Sequence, residues 1–389
     1  MDIKAIGKKY VDYVVEMRRW FHKYPELSNQ EFETQKKIIE ELEKMGIEYE
    51  KVAGTGVLAT IKGKSPGKTV LLRSDMDALE VTEALDVEFK SQNEGVMHAC
   101  GHDNHMSMLL GAAQILKDIK DELKGEVKLI FQPAEEVAQG ALRVLEETDL
   151  ANTCDAVFGM HVWGELPSGM INIEAGPRMA AAGVFDIKVK GVSGHGSTPH
   201  ACKDALVCAA AIVMNLQTIV SRMSNPMNPL VVTTGTFNSG TRFNIIAGDA
   251  HLTGTTRCYD DDLMQMTEDA ILRIAKDTAD AYGMEVEVSH QVLTKTTKND
   301  PKVTEIAKAA AVKLYGEESL MDFPKATASE DFSFFQDKIP GVFAFLGTYD
   351  ESIDAIYSNH HQRYTMDEKN LERGMNLFAQ FTYDYLNEA

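Results

Sequence analysis

The stretch VMHACGHDNHMSMLLGAA, residues 96–113, crowds His98, Cys100, His102, Asp103 and His105 together just ahead of an apolar run of helical character. Cysteine thiolate and imidazole are the ligands that borderline divalent ions select. Cys100 and His102 stand two apart, so in an extended segment their side chains would point to one side. Histidine and aspartate gain nothing from an apolar interior unless paired, which makes such a density of polar groups unsuited to packing. The segment therefore points to a metal site ahead of a helix, and its surroundings show what kind of fold carries it.

Around it, strand-like and helix-like segments alternate. A helix is expected over NQEFETQKKIIEELEKMG, capped by Ser28 or Asn29 and stopped at Gly46. GVLATIKG, KTVLLRSD, a helix over 104–118, GEVKLIFQ, a helix near 138–147 and CDAVFGMHV follow. This is the pattern of an α/β sheet with helices on its faces. From about 179 to 294 the order changes to βαββαβ, the split βαβ arrangement of a small two-layer domain. The α/β pattern then resumes with a helix near 301–316, the strand GVFAFLG and a terminal helix from about 367. We expect a large α/β catalytic domain over 1–178 and 295–389, interrupted by a ferredoxin-like satellite domain over 179–294.

With 389 residues, two domains are the sensible division. An apolar share of 44% and a charged share of 25% are ordinary for globular chains, which argues against disorder. The formal charge of −20 argues against nucleic acid, whose phosphates need a basic surface, so recognition of an anionic substrate must be local. No apolar stretch approaches the roughly 20 residues of a membrane helix, and the charged, amphipathic first twenty residues do not read as a signal peptide. Cys100, Cys154, Cys202, Cys208 and Cys258 are odd in number and scattered, which suits free thiols in a reducing compartment. A cytoplasmic protein is expected.

Polar, metal-competent residues follow the strands of the large domain: Asp75 and Asp77 after TVLLRS, Glu135 and Glu136 after KLIFQP, and His161 after AVFGM. Open α/β sheets place their sites outside the carboxyl ends of strands, so these residues would converge in one crevice. Adjacent glutamates are common on solvated faces. Here, between strand and helix, one can face a metal and the other a water whose proton it removes. His360 and His361 offer a late imidazole, although paired histidines are often surface residues. In the satellite region, His195 and His200 lie in the glycine-rich GVSGHGSTPH, while Asn244 and Arg257 are ordinary strand-end polar residues by themselves. His22 reads as structural.

Taken in order, FHKYPELSNQE, RSDMDALEVTE, MHACGHDNHMSMLLGAA, LIFQPAEE, FGMHVW, GHGSTPH, SEDFSFF and NHHQRY resemble the aminoacylase/carboxypeptidase family of metallopeptidases, in its amidohydrolase branch. That branch includes N-acyl-amino-acid amidohydrolases, hippurate hydrolases and N-acetyldiaminopimelate deacetylases. The resemblance covers nearly the whole chain and implies a site for two divalent metal ions (zinc, manganese, nickel or cobalt). Its ligands would be Cys100, His102, Glu136, His161 and His360, with Glu135 as the general base. It further implies that His195 polarises the substrate carbonyl, in related dimers within the partner's site, and that Asn244 and Arg257 grip the substrate's amide and carboxylate. The implied substrate is an N-acyl amino acid, and the implied assembly a homodimer through the satellite domain. Three departures stand out: NIIAG lacks the proline usual after the asparagine loop, Gln362 replaces a proline, and DALEV lacks one after leucine. Tyr364, four residues after His360, matches the motif's aromatic and selects His360 over His361.

Two other readings are open at this level. Cys100 activated by His102 would make a thiol hydrolase, although a nucleophile and its base usually come from separate segments. A binding protein without turnover is the other, against which Glu135 stands, since a pure binding site needs no base. A dipeptidase or carboxypeptidase acting on small peptides is the alternative within the same chemistry.

Overall fold

The computed structural model describes residues 1–387. The strands in chain order are β1 (Glu48–Val52), β2 (Gly56–Lys62), β3 (Ser65–Asp75), β4 (Lys124–Gln132), β5 (Ala156–Pro167) and β6 (Ile171–Asn172), then β7 (Ala181–Lys190), β8 (Leu230–Ser239), β9 (Asp249–Cys258), β10 (Glu285–Thr294) and β11 (Gly341–Tyr349). The main helices are α1 (Val11–Lys23), α2 (Phe32–Met45), α3 (His102–Asp118), α4 (Gly140–Glu147), α5 (Ala205–Thr218), α6 (Asp261–Ala281), α7 (Pro301–Tyr315) and α8 (Lys369–Asn387).

Packing separates two units. The first comprises Met1–Gly176, Lys298–Pro324 and the chain from Asp331; the second comprises Pro177–Thr297 with Lys325–Glu330. The first contains a seven-stranded sheet in the order β1-β2-β4-β3-β5-β11-β6. Its centre, β4-β3-β5-β11, is parallel, while the β1–β2, β2–β4 and β11–β6 pairs are antiparallel. Parallel strands are covered on both faces, and Val70, Leu71 and Leu72 of β3 are accordingly buried in succession. Helix α3 is buried along almost its whole length. It lies close to α1 and α8 because Gly111 leaves no side chain to collide: a Cβ there would come within 2.4 Å of Val14 and 2.8 Å of Met375.

Helix α2 starts later than expected and is capped differently. It begins at Phe32, and neither Ser28 nor Asn29 caps it. The Glu26 carboxylate accepts from the backbone N–H of Glu33 (3.2 Å) and Thr34 (2.8 Å), supplying from outside the helix what an N-cap side chain would. Ser28 is thereby free for Asp77 and Asn29 for Arg143. The expected stop is present: Gly46 adopts a left-handed conformation (φ 69°).

In the second unit β7, α5, β8, β9, α6 and β10 follow in the order βαββαβ, and the sheet reads β8-β9-β7-β10, antiparallel throughout. Phe185, Ile187, Val189 and Leu252 form its core with Cys208, Ile212, Ile271 and Ala275 of the helices. Asp204 and Asp260 cap α5 and α6. The segment Lys325–Glu330, given to the catalytic domain by the sequence reading, packs with this unit: Ala326 N–H donates to the Arg178 carbonyl and Ala180 N–H to that of Ala328.

One expectation needs correction. Ala205–Met223 is a helical stretch of 19 residues, long and apolar enough to cross a membrane by length and composition, with 28% of it buried. In the fold its inner side, Ala205, Cys208, Ala209, Ile212 and Leu216, covers the four-stranded sheet.

Candidate metal centre

The site is assembled on the carboxyl side of the parallel strands. Asp75 ends β3, Glu135 and Glu136 follow β4, and His161 lies within β5, which runs on to Pro167 rather than stopping before the histidine. Cys100 and His102 do not share an extended segment either. Gly101 between them is left-handed (φ 95°), and His102 is already the first residue of α3. Any side chain at Gly101 would be strained, and a Cβ would come within 2.4 Å of Val162 and 3.2 Å of Tyr364. The turn still brings both ligand atoms into one cluster.

Of the donor groups that result among the described residues, two share Cys100. One is Cys100, His102 and His161; the other is Cys100, Glu136 and His360. Cys100 Sγ lies 3.4 Å from His161 Nε2 and 3.3 Å from His360 Nε2, while Glu136 Oε1 is 3.6 Å from His360 Nε2 and 3.9 Å from His102 Nε2. Glu135 is buried and groups with His102 and Glu136. His361 turns away, stacking on Tyr357 at 4.2 Å. His105, also in the opening stretch, is fully used: Nδ1 bonds Asp75 (2.6 Å) and Nε2 accepts from Val162 N–H (2.9 Å). His98 is wholly buried with neither ring nitrogen bonded, and burial pushes it down to about 4, so it is neutral.

The tautomers are set by neighbours. His102 Nδ1–H donates to the Asp77 carbonyl (2.9 Å) and His161 Nδ1–H to the Val162 carbonyl (2.6 Å), which leaves both Nε2 lone pairs facing the cluster. Asp77 does more. Its Oδ2 accepts from Ser28 (2.7 Å) and from Glu136 N–H (3.0 Å), so one buried carboxylate orients a histidine and a glutamate together. Behind Glu135, Glu31 accepts from Ala134 N–H (2.9 Å) and Thr55 (2.6 Å), holding Ala134 at φ 54°. Asp331 bonds Arg73 (3.0 Å), Gln132 (2.9 Å) and the N–H of Ala141 in the first turn of α4. Ser28 reads in the sequence as a helix cap, and Glu31 and Asp331 carry no role there; nothing local in the sequence marks these three as supports of the site.

Do these residues fit divalent ions? His102 Nε2 and Glu136 Oε1 are buried with no hydrogen-bond partner, a costly arrangement unless a cation completes it. Burial alone would depress His102, yet Asp75, Asp77 and Glu136 raise it to about 10, while burial lifts Glu136 to about 7. The cluster thus has an excess of negative charge that draws in protons, and metals compete with protons at such ligands. Sulfur, imidazole and carboxylate donors suit zinc, manganese, nickel and cobalt alike.

In the second unit, His195 pairs with Ile245 in a short two-stranded ladder and Gly196 N–H donates to the Asn244 carbonyl (2.8 Å), so the loops of His195 and Asn244 are tied together. His195 is exposed. Its Nδ1 accepts from Ser197 N–H (3.1 Å), so in the neutral ring the proton resides on Nε2, directed outward. Asn244 Oδ1 is buried without a partner. Arg257 is on β9, its guanidinium turned to Thr255 Oγ1 and the Thr256 carbonyl.

Comparison with known proteins supplies the family. Residues 71–384 match the model of peptidase family M20/M25/M40. Thermostable carboxypeptidase 1 of Saccharolobus solfataricus is 40% identical, covering 99% of this chain and 98% of its own. N-acetylcysteine deacetylase of Bacillus subtilis is 37% identical, covering 96% and 97%. A crystal structure from Bacillus subtilis, described as a dinuclear metal-binding peptidase of the M20 family, superposes with a TM-score of 0.86 at 35% identity, covering 98% and 100%.

Proposed function

The chain belongs to peptidase family M20/M25/M40, and from that premise we propose that it is a metal-dependent amidohydrolase that removes the acyl group from N-acyl amino acids. The observation that carries this reading is the pair of donor groups meeting at Cys100, with the buried Glu135 alongside. Two divalent ions would be held by Cys100, His102 and His161 and by Cys100, Glu136 and His360. When bound, such ions polarise the amide carbonyl and lower the pKa of water. The remaining steps fall to the chain. Glu135 takes the proton of the attacking water and returns it to the leaving amine nitrogen. His195, through its Nε2–H, donates to the carbonyl oxygen as charge develops there. Asn244 holds the amide, its unpartnered Oδ1 supporting that role, and Arg257 pairs with the α-carboxylate.

A second reading is favoured by the archaeal carboxypeptidase at 40% identity. Both reactions release an amino acid with a free carboxylate from the carbonyl of an amide, and they differ only in what lies on the acyl side. Rates on N-acetyl and N-benzoyl amino acids against dipeptides with a free amino terminus decide between them. The decisive test of the mechanism is Glu135→Gln: turnover should fall by about 100- to 10,000-fold with metal content unchanged. Near-normal turnover in a fully metallated variant would refute the general base.

We also propose a homodimer through the second unit and a cytoplasmic location. Supporting the first, edge strand β8 (LVVTTGTFNS) carries no charge, and the outer side of the neighbouring helical stretch exposes Leu206, Val207, Met214 and Val220. Light scattering giving one chain's mass at micromolar concentration would exclude it. Supporting the second, all five cysteines are free thiols, Cys100 among the metal donors.

A further inference from the structure

We propose that Asn359 is a positioning residue that sets the mutual spacing of Cys100, His161 and His360; the inference rests on the reading of these three as metal ligands. Asn359 immediately precedes His360, and its side-chain amide reaches both other ligand-bearing segments. Nδ2–H donates to the carbonyl of Cys100 itself (2.8 Å) and to that of Val162 (3.1 Å), and Oδ1 accepts from Gly164 N–H (3.0 Å). The partners settle the amide's orientation, since two are carbonyls and one is an N–H.

The Val162 carbonyl gives this contact its chemical weight. That oxygen also accepts from His161 Nδ1–H at 2.6 Å, the bond that points His161 Nε2 at Cys100. Asn359 thus anchors the acceptor that orients one ligand, bonds the backbone of the second and is covalently joined to the third. The His360 backbone needs such support: it is left-handed (φ 71°), and its N–H donates to the Ala99 carbonyl at 2.7 Å. A non-glycine residue rarely adopts that region and persists there only where surrounding contacts over-determine it. The approach is close on every side: a Cβ on Gly164 would come within 2.8 Å of Ser358 Cα. Asparagine fits because it combines one acceptor and two donors in a plane. Aspartate would set a carboxylate against two carbonyl oxygens, and alanine would make none of the three bonds.

Cobalt(II)-loaded full-length protein tests this, since the near-ultraviolet sulfur-to-cobalt charge-transfer band reports the Cys100 bond independently of turnover. Asn359→Ala and Asn359→Asp should weaken cobalt binding by about 10- to 100-fold in chelator competition and shift or diminish the band. The thermal midpoint of the metal-free Asn359→Ala protein should change far less. Unchanged affinity and band in Asn359→Ala, with a normal wild-type band, would overturn this inference alone. If Asn359→Ala fails to fold, Asn359→Asp, equal in size, decides in its place: wild-type affinity and band in that variant would reduce Asn359 to a packing role and overturn the proposal. A wild-type protein that lacks the band would overturn the metal reading with it.

Discussion

The donor cluster of the first unit and the His195 loop of the second are built to opposite specifications. Each histidine of the cluster has its outer nitrogen or its backbone tied down: His102 by Asp77, His161 by Val162, His360 through Ala99. Cys100, His102, Glu135 and His161 are buried. His195 is exposed, and among the described residues its ring is bonded by its own loop, through Ser197. Metal ligands must match an ion's geometry before substrate arrives, whereas a group that serves the transition state can wait in solvent until something closes over it. On the proposed assignment, the first unit carries the metal donors and the His195 loop supplies an accessory group.

The largest effect that could break this contrast is at His195. His195→Ala should bind metal normally yet lose about 100- to 1,000-fold in kcat, the usual cost of one oxyanion donor. Metal loss in that variant would mean that the loop is part of the centre after all. Mixing it with Glu135→Gln subunits sharpens the point: activity recovered in the confirmed heterodimer places His195 in the partner's site, and none recovered leaves it within its own chain.

A smaller effect is expected at Arg257. Charge-assisted bonds contribute about 1.5–3 kcal/mol, so Arg257→Ala should slow N-acyl amino acids by about 10- to 150-fold and their carboxamides little. Equal losses on both would remove Arg257 from carboxylate recognition.

The smallest effect lies behind the cluster. Burial alone would lower His22, but Asp103 (2.8 Å) and Glu83 (3.0 Å) outweigh it and hold the imidazole above its ordinary pKa. A raised folded-state pKa contributes stability that is full below about pH 6.5 and is lost as pH rises through the folded value. The unfolding free energy of wild type over His22→Gln should therefore be greatest in mild acid and shrink towards alkaline pH. A difference independent of pH would show that His22 acts by shape alone.

Much of the candidate site was legible because its residue types declare themselves: thiol, imidazole and paired carboxylates are poor core residues, and they recur at strand ends in the order an α/β sheet requires. His360 was separable from His361 only through the aromatic at Tyr364, and the structure shows the physical difference, one ring at Cys100 and the other stacked on Tyr357. What the sequence concealed were supports whose partners are distant in the chain. Asn359 bonds residues 259, 197 and 195 positions away, and no local pattern distinguishes such an asparagine from one in a surface loop. The cap of α2 was misread for a related reason: Ser28 has the right chemistry for a cap, but Asp77, 49 residues on, competes for it, and Glu26 takes its place.

Because Cys100 belongs to both donor groups, the centre has a single point of chemical failure. Oxidation of that sulfur removes a donor from each group at once, so damage by peroxide should be all-or-none rather than graded. Thiol reductants can reverse the sulfenate stage but not the sulfinate. With Cys100 7% exposed, the vulnerable species is whichever form leaves its sulfur uncovered, and on the proposed reading bound metal would double as protection against oxidation.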